Sequence, residues 1–145
     1  MGFRISNLKT DAKKEVEGNW VDFGSGLMVK VARIDNIAFM GHLRKISRKY
    51  VAQSRTGDDT KTLELLEKLR KKAMARFVLL DWSNMEDDDG KPIEYSPEKA
   101  LELFDSVPEF YRGIIDISSD AATFKAEEVS ESLGNSLPVS NGSSP

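Results

Sequence analysis

With 145 residues, 39% hydrophobic and 31% charged, the chain has enough apolar mass for one modest core under a heavily charged surface. It contains no cysteine, which excludes disulfides, thiolate metal sites and a cysteine nucleophile together. The net charge of −3 hides a polarity along the sequence: residues 28–76 carry thirteen Lys and Arg against five Asp and Glu, a net of +8, whereas residues 80–131 carry four against fifteen, a net of −11. Such halves neutralise each other within one fold or between neighbouring copies.

In chain order, residues 1–17 are polar, with Phe3, Ile5, Leu8 and Val16 as isolated apolar positions, and read as a loose lead-in with room for an edge strand. No apolar run here resembles a signal peptide, and none later approaches the ~20 residues of a membrane span, so a soluble protein is expected. Trp20–Phe23 and Leu27–Ile34 are rich in β-branched and aromatic residues and flank Gly24-Ser25-Gly26, a β-hairpin pattern. Asp35 or Asn36 then offers a cap for a helix over Ile37–Gln53, whose Phe39, Leu43, Ile46 and Tyr50 form one apolar stripe. Arg44, Lys45, Arg48 and Lys49 fall beside or opposite that stripe. Gly57 closes this segment, and Asp58 or Asp59 caps a second helix over Thr60–Leu80. Leu66, Leu69, Ala73, Phe77 and Leu80 line its buried face, widened by Leu63 and Leu65.

Beyond Trp82 the chain turns at Asp89-Gly90-Lys91-Pro92, with Ile93 and Tyr95 as short extended flanks. Ser96-Pro97-Glu98 begins a third helix: the serine caps, the proline takes the first helical position and the glutamate meets the dipole. Ser106-Val107-Pro108-Glu109 fits a capping box for a fourth helix running to about Ser130, with Phe110, Ile114, Ile117, Ala121 and Phe124 inward and Ser118-Ser119 as its weak point. Residues 132–145 are rich in Gly, Ser, Asn and Pro and read as a disordered tail. The expected fold is therefore mainly α: an N-terminal β-hairpin followed by a four-helix assembly, all in one domain over residues 18–131.

Nothing in the sequence has the pattern of an active site. Aligning Glu86–Gly90 with a calcium-binding loop puts Gly90 at its glycine, Asp89 and Asp87 at two ligand positions, but Met85 at the first and Ser96 at the twelfth, where a bidentate glutamate is required. The segment reads instead as a solvated acidic turn, and no metal or cofactor is expected. His42 is the single histidine and has no catalytic motif around it. Gly24-Ser25-Gly26 lacks the ending of a phosphate loop and sits in a hairpin rather than before a helix. The basic run His42–Tyr50 is compatible with nucleic-acid binding through phosphate neutralisation. Against that stand the pI of about 5.3 and a Ser54–Asp59 loop longer than the ~3–4-residue turn of a helix-turn-helix. Docking of this basic run on an acidic partner, or on the acidic half of another copy, is the preferred reading, with Arg44, Lys45, Arg48, Lys49, Asp87, Asp88 and Asp89 as the candidate partner-binding residues.

One ordered set of segments carries a resemblance. Phe77–Tyr111, FVLLDWSNMEDDDGKPIEYSPEKALELFDSVPEFY, joins an apolar helix end to a Trp, an acidic turn, a Ser-Pro helix start and a second Pro-initiated helix. With the Trp20–Phe23 strand, the Gly turn and the Ile34-Asp35-Asn36 lead into a basic helix, this order resembles the tail assembly chaperones of long-tailed bacteriophages over roughly residues 18–130. The resemblance implies a mostly helical, non-enzymatic protein of the infected host's cytoplasm, absent from the mature virion. It implies binding to the tape-measure and tail-tube proteins, self-association, and often a second, frameshifted length. A minor structural protein of the virion and a small nucleic-acid-binding regulator are the alternatives.

Overall fold

The computed structural model describes residues 2–51 and 59–126. The expected tail, the helix end expected at Gln53, the loop expected from Ser54 with Gly57 and Asp58, and the last turn expected up to Ser130 lie outside the described residues. The fold is α+β, which corrects the mainly α expectation: among the described residues five α-helices accompany a three-stranded antiparallel sheet of order β1-β2-β3.

β1 (Asn19–Gly24) and β2 (Leu27–Val31) form the expected hairpin, pairing Asn19 with Val31 and Val21 with Val29. Its two-residue loop has positive φ at both Ser25 (54°) and Gly26 (85°), the backbone twist that suits the right-handed twist of the strands. β3 (Leu79–Ser83) lies along the other edge of β2, pairing Val29 with Trp82 and Met28 with Ser83. The helix expected over Thr60–Leu80 therefore stops short. α3 runs Asp59–Phe77 and passes into β3 across the single residue Val78. The apolar run Phe77–Leu80 satisfies a helical spacing and a strand equally well, and the free edge of β2, distant in sequence, decides between them.

The abrupt change frees carbonyls that a longer helix would have used. Remote groups take them up. Phe77 O accepts from Asn36 Nδ2 at 3.1 Å, and Val78 O accepts from Ala32 N at 2.8 Å. The Tyr95 hydroxyl donates to Leu79 O at 2.6 Å and also lies 3.0 Å from Ala75 O. Asn36 does more: its Nδ2 reaches Arg33 O at 2.8 Å, and its Oδ1 accepts from Phe39 N at 3.0 Å, capping α2 (Ile37–Val51). Of the two expected caps, Asn36 is the one used. Asp35 beside it takes a positive φ of 64°.

α4 (Pro97–Ser106) starts as expected, with Ser96 Oγ accepting from Lys99 N at 3.0 Å. α5 (Pro108–Ser119) does not start with a capping box. Ser106 belongs to the last turn of α4, where its hydroxyl donates to Glu102 O, and Val107 stands at the cap without a side-chain bond. α5 also ends at Ser119 rather than near Ser130. The hydroxyls of Ser118 and Ser119 bond back to Ile115 O, Asp120 turns extended, and its carboxylate caps a 3-10 turn over Ala121–Phe124.

The lead-in is more ordered than expected. After a 3-10 turn at Ile5–Leu8, Asp11 caps a short α1 (Ala12–Glu17) by accepting from Lys13 N at 2.9 Å. Thr10 bridges Lys125, and Glu15 pairs with Arg33 at 2.6 Å. These partners lie far along the chain and leave no local signal.

The core forms where α3, α4 and α5 meet the sheet. Val29, Val31, Phe39, Met74, Leu79, Phe104, Ile114 and Phe124 are fully buried, each large side chain contributing roughly 1.5–3 kcal/mol. Phe110 links the layers, 5.3 Å from Phe23, 5.8 Å from Phe104 and 6.3 Å from Trp82 between ring centres. Leu63, expected to widen the buried face of α3, is 67% exposed.

Two predictions come from the α3–β3 junction. Asn36→Ala removes a helix cap and both Nδ2 bonds and should cost about 2–3 kcal/mol in urea unfolding. Asn36→Asp keeps the cap acceptor but loses the donors, so it should recover only part of that loss. Burial, then Asp81 and Glu98, push the Tyr95 pKa from 10.0 up to about 12. The protonated phenol is the form the fold holds. Its contribution is complete below pH 10 and is lost as pH rises toward 12, so wild type should lose stability over that window more steeply than Tyr95→Phe.

Candidate functional site

α2 is held by its inner side and free on its outer one. Phe39 is buried, and His42, Leu43, Ile46 and Tyr50 are half-buried. His42 stacks at 4.9 Å on Phe77, while Arg70 of α3 lies 5.3 Å over the Phe39 ring and pairs with Asp35 at 3.5 Å. These contacts fix the helix about its own axis. What remains outward is a stripe at helical spacing: Ile37, Met40, Gly41, Arg44, Lys45, Arg48 and Lys49, all exposed.

The sequence singles out the four cations of this stripe, and the structure brings them onto one face. None makes an ion pair with another described residue. The apolar start of the stripe was not legible as such. Ile37 is 82% exposed and Met40 38%, a hydrophobic turn directly preceding the cations; their spacing to Arg44 of seven and four residues is the signal that places them there. Between them Gly41 sits in mid-helix with nothing within 4 Å of where a Cβ would stand. No packing within the protomer requires a glycine at that position.

The acidic cluster has a different character. Asp87 builds its own turn: its Oδ1 accepts from Asp89 N at 2.8 Å and Lys91 N at 2.9 Å, and its backbone N–H donates to Lys91 O. Asp88 and Asp89 are exposed. Beside this turn a cleft of about 620 Å³ is lined by residues of the 80–95 segment, including Trp82, Met85 and Tyr95. Trp82 Nε1 donates to Ile93 O at 2.7 Å and Tyr95 bonds the α3–β3 junction, so both polar aromatic groups are committed to structure. No hydrogen bond or ion pair joins this turn to Arg44, Lys45, Arg48 or Lys49 among the described residues. The basic and acidic halves meet in one ion pair between described residues, Lys71–Asp105 at 3.3 Å.

Among the described residues no group of three or more His, Asp and Glu is placed to hold a metal, and no helix is long and apolar enough to cross a membrane. His42 lines a shallow groove of about 300 Å³ with Lys72, Arg76, Glu98 and Leu101. Burial, then Arg76, then Lys45, lower its pKa from 6.5. It is therefore neutral at pH 7.

Because the folded-state pKa is depressed, the contribution of His42 is present above pH 6.5 and is lost as pH falls through the lower folded value. A proton NMR titration of this single histidine should place its midpoint below 6.5, and Lys45→Glu should move it upward. A midpoint above 6.5 in the wild type would show that neither burial nor the neighbouring cations govern this site.

The family model described as YdaY prophage protein matches residues 34–135, a span that takes in α2, α3, β3, α4 and α5 and starts beyond the β1–β2 hairpin. No curated protein and no solved structure matches the chain. The match covers more than two thirds of the sequence and contains the whole outward stripe of α2, and on it the chain belongs to the YdaY prophage protein family and is of phage origin.

Proposed function

We propose that this phage protein is a non-catalytic tail assembly chaperone that binds the tape-measure protein, the tail-tube protein or both, and keeps them soluble in the host cytoplasm while the tail is built. The observation that carries the reading is the outward stripe of α2: an exposed apolar turn running into four cations without an ion-pair partner among the described residues. A helical tail protein with apolar faces aggregates when those faces meet water, and a chaperone for it requires an apolar seat with a charged rim rather than a reactive group. Ile37 and Met40 are that seat, and Arg44, Lys45, Arg48 and Lys49 supply orientation and association rate. The phage descent of the family and the ordered resemblance over residues 18–130 support the same assignment. The acidic turn, whose Asp87 is engaged in its own backbone, serves as structure first, with Asp88 and Asp89 available to a partner.

Co-expression tests this directly. The protein should keep its tape-measure or tail-tube partner soluble and co-purify with it. Reversal of Arg44, Lys45, Arg48 and Lys49 to Glu should abolish co-purification with helical content retained. If the wild type rescues neither partner and instead binds duplex DNA with a steep salt dependence, the nucleic-acid-binding regulator replaces the chaperone.

A further inference from the structure

The exposed side of α4 complements part of the stripe of α2. Glu98, Glu102, Asp105 and Ser106 are exposed at helical spacing. On α2, Gly41, Lys45 and Lys49 follow one another at four-residue spacing, as Glu98, Glu102 and Ser106 do on α4. Laid antiparallel, the two oppose Gly41 to Ser106, Lys45 to Glu102 and Lys49 to Glu98. Arg44 then falls next to Asp105, whose bond to Lys71 leaves it 61% exposed. The two small residues, Gly41 and Ser106, coincide where the helices would cross most closely. That gives Gly41 a purpose its own protomer does not: a mid-helix glycine costs stability relative to alanine, and here no neighbour among the described residues requires it. Antiparallel docking also sets each helix dipole against its opposite end. Lys99, the one cation of α4, is bonded to Glu102 at 2.8 Å and leaves Glu98 free of a described partner.

We propose that the α2 stripe of one copy docks antiparallel on the α4 face of a second copy, with Gly41 against Ser106, and Lys45 and Lys49 against Glu102 and Glu98. This inference does not rest on the tail-assembly reading. It concerns the protein alone, and a tail protein seated on α2 would displace the second copy.

Sedimentation velocity of the whole chain, run over a concentration series, is the test. The wild type should show a sedimentation coefficient that rises with concentration at ~0.01 M salt, where the Debye length is ~30 Å, and that stays at the monomer value at about 1 M, where it is ~3 Å. Lys45→Glu with Lys49→Glu, and separately Glu98→Lys with Glu102→Lys, should each weaken association by at least about tenfold, since attraction at two contacts becomes repulsion. The two variants mixed, and the fourfold charge-swapped chain alone, should regain it. Gly41→Leu should raise the melting temperature of the protomer yet weaken association, a combination that a merely structural glycine does not give. Should the Glu98 change disturb the start of α4 by circular dichroism, Glu102→Gln alone should still weaken association severalfold. A wild type that stays monomeric at low salt, or a folded fourfold swap that fails to reassociate, overturns the proposal. Either result leaves the co-purification test of function unaffected.

Discussion

The passage from α3 to β3 leaves helical carbonyls without helical partners, and the fold is organised around satisfying them. Unpaired buried carbonyls cost about 1–3 kcal/mol each, so a chain that ends a helix by entering a strand must supply donors at once. Here the donors come from three separate places: Ala32 at the end of the hairpin, Asn36 at the start of α2, and Tyr95 ahead of α4. Each donor carries its own element into position. β2 gains its second neighbour, α2 is capped and aimed, and the 85–95 segment is drawn over Trp82. The same bonds that close the junction therefore set the direction in which α2 presents its outward stripe.

This division of labour separates stability from binding. The inward side of α2 is held by Phe39, the His42–Phe77 stack and the Arg70 contacts. The outward cations contribute little to the fold, because exposed ion pairs are worth only about 0–1 kcal/mol even when formed. Gly41 carries a cost of about 1 kcal/mol relative to alanine in a helix interior. A surface that is neutral or slightly costly to its own protomer, apolar at one end and basic at the other, is what the proposed binding role requires.

Local patterns were legible in the sequence, and non-local ones were not. The hairpin, the Asn36 cap, the Ser96-Pro97 helix start and the four cations of α2 each depend on residues within one or two turns of each other. β3 could not be read, because Phe77–Leu80 fits a helix until the edge of β2 is known to be vacant. The order of the first eighteen residues depends on Glu15 meeting Arg33 and Thr10 meeting Lys125, partners that spacing cannot reveal. Ser106 carries a capping-box signature, yet it belongs to the last turn of α4 and its hydroxyl donates to Glu102 O. The candidate site was half visible: the charges were evident, whereas the exposure of Ile37 and Met40 follows only from which side of α2 faces α3.

The central claim is that the outward stripe of α2 is the surface by which this phage protein engages its partner. Lysine footprinting of the co-purified complex reads that surface directly, with acetylation measured residue by residue against the free protein diluted until it is monomeric. Lys45 and Lys49 should be protected in the complex, while Lys91 in the acidic turn and Lys13 in α1 react as they do in the free chain. Protection centred on Lys91 with Lys45 and Lys49 unchanged would contradict the account and move the binding surface to the acidic turn.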